Sequence, residues 1–272
     1  MTLKLADDCF RPGQPRLRHA EAIALLAAAA TATVGTEEIA VADALGRVLA
    51  APVVAPASVP NHDNAAVDGY AYRSGAVSPV DGVLEFPIDG RAAAGQPLAQ
   101  AVAPASAVRI LTGAVMPAGL DTVAMQEDVE VAATDPPRVR IPAGQKRGAN
   151  VRRAGEDLQS GTVLIEPGHV LRPQDIAGLA SVGLARVSCR RRLRVAVVST
   201  GDEVRRPGSG TLGHGEVWDA NQPMLMSLLA LSGAHATDLG VWPDDRAVVR
   251  DRLAAAARDH DVILTSGGAS RG

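Results

Sequence analysis

The sequence predicts an α/β and β multidomain chain: a helical and β linker domain, a small β domain inserted into it, and a doubly wound parallel α/β domain toward the C-terminal end. Three observations support this. From Pro52 to about Gly148 the chain is rich in Pro, Gly, Val and Thr, with short runs such as VLEFPI and TVAMQEDVEVAA, the pattern of an all-β module with tight turns. Beyond residue 190, apolar strand-like runs alternate with helical stretches, which argues for a parallel sheet covered by helices. RVAVVST (194–200) is a continuous apolar run ending in a polar turn, as expected of a strand buried on both faces.

In chain order, RHAEAIALLAAAA (18–30) places Ala20, Ile23, Ala24 and Ala27 at helical spacing, although alanine satisfies any helical face. EEIAVA (37–42) reads as a strand and DALGRVLA (43–50) as a second short helix. Turn signals at Gly155, Gly161 and Gly168 precede PQDIAGLASVG, whose leading proline and closing glycine mark the ends of a helix. In the last third, MLMSLLALSG (224–233) reads as a helix, ATDLGVW (236–242) as a strand, DRAVVRDRLAAAARD (245–259) as a helix and DVILTSGG (261–268) as a strand with a glycine turn. Helical segments on both sides of the β module place a discontinuous linker domain at 15–52 and 149–188, the inserted β domain at 53–148 and the α/β domain at 189–272. No internal repeat is present. The chain stops after a glycine-rich strand end, where a βα unit continues with a helix covering the sheet, so the sequence reads as the N-terminal part of a longer protein.

Composition narrows the function classes. With 47% hydrophobic and 21% charged residues, the 272-residue chain has the mix of a folded soluble protein. A net charge of −3 supplies no general attraction for nucleic acid or an anionic membrane, and 2% aromatic residues make base stacking a poor mode of binding. Cys9 and Cys189 form no C-x-x-C pair, which argues against a disulfide framework or a structural zinc site. The start, MTLKLADDCF, lacks the basic-then-apolar order of a signal peptide, and no apolar run reaches the roughly 18 residues of a membrane span, so a cytoplasmic location is expected.

Four segments can carry chemistry. Pro60-Asn61-His62-Asp63-Asn64 leads to Asp68-Gly69-Tyr70, where Asp68 can face a metal or polar substrate, though the residues alone read more simply as a turn. Arg109 to Pro117 contains Thr112-Gly113, a strand end able to hold an oxyanion or merely to turn the chain. Ser199-Thr200-Gly201-Asp202-Glu203 ends the first apolar strand, at the edge where open α/β sheets bind ligands. Thr265-Ser266-Gly267-Gly268-Ala269-Ser270 ends a second strand at that same edge, and Asp244-Asp245 follow the strand between, either on the rim or capping the next helix. Carboxylates repel a phosphate unless a divalent cation lies between them, so these acids beside anion-holding turns imply Mg2+. No Walker sequence and no H-E-x-x-H is present, which removes the signals for a P-loop nucleoside triphosphatase and a zinc protease. Arg190, Arg191, Arg192 and Arg194, with Arg152 and Arg153, either steer a polyanion or make ion pairs.

PNHDNAAVDGYA, RILTGAVMPAG, GANVRRAGEDLQSG, VVSTGDEV, the stretch from GEVWDANQPML to LGVWPDD, and TSGGASRG occur in an order that resembles the molybdopterin molybdenumtransferase family (MoeA and the gephyrin E domain), from about residue 15 to the last residue. The resemblance implies a role in molybdenum cofactor biosynthesis: insertion of molybdate into adenylylated molybdopterin, with Mg2+-dependent hydrolysis of the adenylate and release of AMP. Carried over motif by motif, it implies Asp68, Thr112, Asp157, Glu203 and Asp244 as catalytic residues. Thr200, Gly201, Ser266, Gly267, Gly268 and Ser270 are implied to hold the pterin phosphate and adenylate, and Glu203 and Asp244 to bind Mg2+. It further implies a homodimer, in which the α/β domain faces the β domain of the other subunit, and a molybdopterin adenylyltransferase as upstream supplier, with no nucleic-acid or membrane partner. Ala65 and Val67 depart from the Ser and Met often found in the family. Family members continue into the rest of the α/β domain and a small C-terminal β domain. A non-catalytic chain of the same fold, binding molybdopterin or acting as a scaffold, is the alternative. A domain of the competence-damage type accounts only for residues 190–272.

Overall fold

The structure, a computed structural model, describes residues 17–267. In chain order its elements are α1 (His19–Ala29), β1 (Thr36–Ala40), β2 (Val53–Val54), β3 (Asn64–Ala65), β4 (Gly69–Tyr72), β5 (Val83–Ala92), β6 (Ala107–Ile110), β7 (Thr122–Met125), β8 (Glu130–Ala132), β9 (Arg138–Pro142), β10 (Val151–Arg152), β11 (Val163–Ile165), α2 (Pro173–Ser181), β12 (Arg186–Arg190), β13 (Arg194–Thr200), β14 (Val204–Arg205), β15 (Val217–Trp218), α3 (Asn221–Leu231), β16 (His235–Trp242), α4 (Arg246–Asp259) and β17 (Val262–Ser266). They form two compact units: one takes the chain up to Ala51, Gly168–Arg172 and everything from Arg186, the other Pro52–Pro167 and Pro173–Ala185. The chain leaves the first unit after Ala51 and re-enters it at Gly168, the connectivity of an insertion.

The β unit is built on a six-stranded sheet in the order β7-β4-β6-β5-β9-β8, antiparallel except where β5 runs parallel to β6. In β9 Val139 and Ile141 are buried while Arg140 between them is exposed, the period-two pattern of a strand with one face on the core. All four residues of β4 are buried, so both faces of this strand are covered. Val108, Ile110 and Val123 belong to the cluster on one side; Tyr72 and Phe86, with ring centroids 5.3 Å apart, belong to the other. Such an aromatic pair contributes about 1 kcal/mol beyond its buried area.

The other unit holds a three-stranded parallel sheet in the order β16-β13-β17. β13 is central and Val195–Val198 are buried, as its unbroken apolar run predicts; truncating Val197 to alanine there costs about 2 kcal/mol. The register of β16 against β13 slips at Leu239-Gly240, where Gly240 takes a φ of 87° and leaves an extra residue on the edge strand. The bulge re-aims Val241 and Trp242 so that the Trp242 carbonyl accepts the Gly201 N–H at 3.2 Å. At the opposite end of the sheet, Asp261 accepts hydrogen bonds from the Arg191 guanidinium, the Arg194 N–H and the Arg194 side chain, which hold its carboxyl well below the usual carboxylate range. β1 and β12 pair antiparallel in the same unit.

Two sequence readings need correction. Residues 43–50 are not a helix. A single 3-10 turn, Val41–Asp43, is followed by Gly46 at a φ of 72°, and Val48 and Leu49 then bridge Val170 and Cys189. The helix read at 224–233 begins earlier, at Asn221, because Pro223 falls in its first turn, where the missing N–H costs nothing. It ends at Leu231, before Gly233 at a φ of 76°. A G-x-G-x-x-G spacing at Gly208-Ser209-Gly210-Thr211-Leu212-Gly213 lies between β14 and β15 rather than between a strand and a helix, so it offers no helix N-terminus to a dinucleotide. Among the described residues no helix is long and apolar enough to cross a membrane.

Candidate functional site

At the C-terminal edge of the parallel sheet the ends of β13 and β17 lie side by side, with Ser199 in register with Ser266. Thr200 Oγ1 donates to the Ser266 carbonyl at 3.5 Å. Gly267, at a φ of 118°, has no room for a Cβ, which would fall 2.5 Å from Thr200 Oγ1. Gly201, at a φ of 133°, is covered in turn by the Glu203 carboxylate, whose Oε2 would lie 2.5 Å from a Cβ there. Each glycine thus lies under the side chain of a neighbouring candidate residue, in a conformation that favours glycine. Thr200, Gly201, Glu203, Ser266 and Gly267 are brought together as expected; Gly268 and Ser270 lie outside the described residues. Asp244 stands on the same rim, its N–H donating to Asp202 Oδ1 at 3.3 Å. Asp245 instead caps α4, accepting the N–H groups of Ala247 and Val248 at 2.8 and 2.9 Å.

Beneath this edge is a polar net that sequence reasoning did not single out. Asp219, 4% exposed, accepts the Ser199 hydroxyl at 2.5 Å and the Gln222 N–H at 3.0 Å. Arg206 lies 3.4 Å from the Asp219 carboxylate and bonds Asp238, which also accepts from Gln222 Nε2 and the Gly240 N–H. Asn221, the first residue of α3, donates to Ser266 Oγ at 2.8 Å. The only sequence signal was an Asp-Ala-Asn step ahead of an apolar helix.

In the β unit the structure joins Asp68 to Thr112. Thr112 donates to Asp68 Oδ1 through both its hydroxyl, at 2.7 Å, and its N–H, at 2.8 Å. These bonds, the hydroxyl first, lower the Asp68 pKa, with a smaller contribution from the charge of Arg109. The Gly113 N–H is also committed, to the Ala65 carbonyl at 2.9 Å. The Thr-Gly turn therefore fixes a carboxylate rather than offering these donors to an oxyanion, which corrects that reading. Asp68-Gly69 is not a glycine-conformation turn either. Gly69 starts β4, and a Cβ there would lie 1.8 Å from the Ala124 carbonyl oxygen of β7. Asp157 pairs with Arg152 at 2.5 Å and shares no hydrogen bond with Asp68 among the described residues. Most of the arginines make local ties: Arg191 and Arg194 hold Asp261, Arg192 the Gly233 carbonyl, and Arg153 the Asp63 carboxylate, whose pKa is lowered by the Ala154 N–H first and by Arg153 second.

The MoeA N-terminal region (domain I and II) matches residues 17–183, and a probable molybdopterin binding domain matches 196–272. The chain belongs to the MoeA family. It is 38% identical over 237 residues to a molybdopterin molybdenumtransferase of Haemophilus influenzae, covering 87% of this chain and 57% of that one. It is 37% identical over 235 residues to molybdopterin molybdenumtransferase 2 of Mycobacterium tuberculosis, covering 84% and 56%. The crystal structure of a molybdopterin biosynthesis MoeA protein from Pyrococcus horikoshii superposes with a TM-score of 0.81 at 30% identity, over 90% of this chain and 62% of that one. The chain thus spans a little over half the length of these relatives, and it has the multidomain α/β and β fold of the family.

Magnesium suits the donors at the sheet edge. At this edge the Glu203 carboxylate lies over Gly201 and the Asp244 main chain bonds Asp202, so the donors nearby are hard carboxylate oxygens. Mg2+ is ordinarily held by one or two carboxylates together with substrate phosphates, not by an all-protein cage.

Proposed function

We propose that the chain acts in the cytoplasm as a molybdenum insertase of molybdenum cofactor biosynthesis, inserting molybdate into adenylylated molybdopterin with release of AMP. The observation that supports this most is the meeting of Thr200-Gly201, Ser266-Gly267, Glu203 and Asp244 at one edge of a parallel sheet, in a chain of the MoeA family. Thr200, Ser266 and the two glycines, together with Gly268 and Ser270, hold the phosphate and adenylate. Glu203 and Asp244 would hold Mg2+, which when bound neutralises the charge of the phosphoanhydride. Asp68, kept ionised by Thr112, is an acceptor only and orients the attacking oxygen by taking one of its protons in a hydrogen bond. Asp157 orders the turn it shares with Arg152. The protein works as a homodimer, and its adenylylated substrate comes from a molybdopterin adenylyltransferase.

The test is incubation of the purified chain with adenylylated molybdopterin, Mg2+ and molybdate, following AMP. Release is expected, and Glu203→Gln abolishes it; unchanged release from that variant overturns the assignment of Glu203. A second reading is binding without turnover by a chain of the same fold. It predicts retention of the adenylylated substrate with no AMP formed.

A further inference from the structure

We propose that Asp219 is a positioning residue for the sheet-edge site: through Ser199 and the first turn of α3 it sets the Asn221 amide and the two glycine turns for the ligand. This rests on reading that edge as the ligand-binding end of the sheet.

Asp219 lies where β15 passes into α3, and its side chain is 2% exposed. Its N–H donates to the Arg205 carbonyl at 2.8 Å, which holds its backbone against β14. One carboxylate oxygen takes the Ser199 hydroxyl, and the other takes the Gln222 N–H in the opening turn of α3. Ser199 is 1% exposed and stands in register with Val241 of β16 and Ser266 of β17, so it marks the point where all three strand ends meet. A single carboxylate therefore ties the end of the central strand to the start of the helix that carries Asn221.

The charge beneath is balanced by Arg206, which bridges Asp219 to Asp238, while Gln222 Nε2 and the Gly240 N–H complete the shell of Asp238. A buried acid of this kind is a poor source of stability, because desolvation opposes its ion pair and an apolar side chain of similar size packs as well. An apolar side chain cannot hold a hydroxyl and a helix N–H at once. Of the residues in this part of the molecule, Asn221 reaches from the net to the rim, donating to Ser266 Oγ beside the Gly267 turn. Rotating the first turn of α3 moves that amide and releases Ser266 together.

The experiment uses the 272-residue chain with Asp219→Asn, Asn221→Ala and the double substitution. Asparagine keeps the size of Asp219 and one acceptor oxygen but loses the charge. Affinity for AMP in the presence of Mg2+ is measured by calorimetry. Each single change is expected to weaken binding about tenfold, and the double to fall well short of the product of the two losses, because the effect of Asp219 travels through Asn221. Losses that multiply overturn the proposal. A ligand-free readout stands beside it: in Asp219→Asn the NMR signals of the Asn221 side-chain amide, which loses its bond to Ser266 Oγ, and of the Gly267 N–H shift. A purely structural role lowers the melting temperature and leaves those signals in place, which also overturns the proposal. Failure of the unsubstituted chain to bind AMP counts against the proposed function, and the NMR comparison then decides the role of Asp219 alone.

Discussion

The two units hold their polar groups by opposite means. In the β unit the main chain sets the position of Asp68. Gly69 enters β4 with the Ala124 carbonyl occupying the space of a side chain, and the strand that follows is buried on both faces, leaving Thr112 only to fix the carboxylate. At the edge of the parallel sheet, side chains set the geometry: Glu203 over Gly201, Thr200 over Gly267, Asp219 underneath. The first arrangement tolerates a change of functional group but no added carbon. The second yields sterically, because what crowds its glycines includes the far ends of side chains, and it is sensitive to the loss of a charge or a hydroxyl.

The sharpest break in this comparison is Gly69→Ala. An alanine methyl 1.8 Å from a carbonyl oxygen forces β4 and β7 apart, at a cost above about 4 kcal/mol. Limited proteolysis is expected to cut within 52–167 while 194–266 stays protected; a wild-type melting curve contradicts this. Gly201→Ala is milder for the fold. The Glu203 carboxylate can swing away, leaving backbone strain of about 1–2 kcal/mol, but AMP binding is lost because the turn no longer keeps its shape.

Smaller still is Thr112→Ala, which removes the hydroxyl that does most to lower the Asp68 pKa. Asp68 titrates in the folded chain below its unfolded value, so its stabilisation is present above the ordinary carboxylate range and is lost as pH falls through the folded pKa. The variant is therefore less stable than the parent at neutral pH, and the gap between their melting temperatures closes in acid. An NMR titration is expected to find the Asp68 pKa moved up toward its ordinary value. The smallest effect belongs to Asp245→Ala, which removes the N-cap of α4 for about 1 kcal/mol and leaves AMP affinity unchanged. Equal losses of AMP affinity at Asp244 and Asp245 contradict the separate roles given to these neighbours.

What the sequence disclosed follows the same division. β13 was legible because burial on both faces leaves an unbroken apolar run, and α4 because its capping acid and alanine-rich body are local signals. The order of the motifs singled out Asp68, Thr112, Glu203 and the glycine turns as candidates. Gly46 and Gly69 were misread for one reason: each is fixed by a contact distant in sequence, the first by bridges of Val48 and Leu49 to Val170 and Cys189, the second by the Ala124 carbonyl. Asp219 left only an Asp-Ala-Asn step before an apolar helix. A carboxylate before a helix looks like a solvated cap until the parallel pairing of β14 with β15 brings it beneath the central strand.

Hydrogen–deuterium exchange on the chain with and without adenylylated molybdopterin and Mg2+ tests most directly that the ends of β13 and β17 are the ligand-binding end of the sheet. Slower exchange is predicted at 199–203, 219–222 and 264–267, with the opposite end of the sheet around Asp261 unchanged. Protection at Asp261 with none at the glycine turns would contradict it.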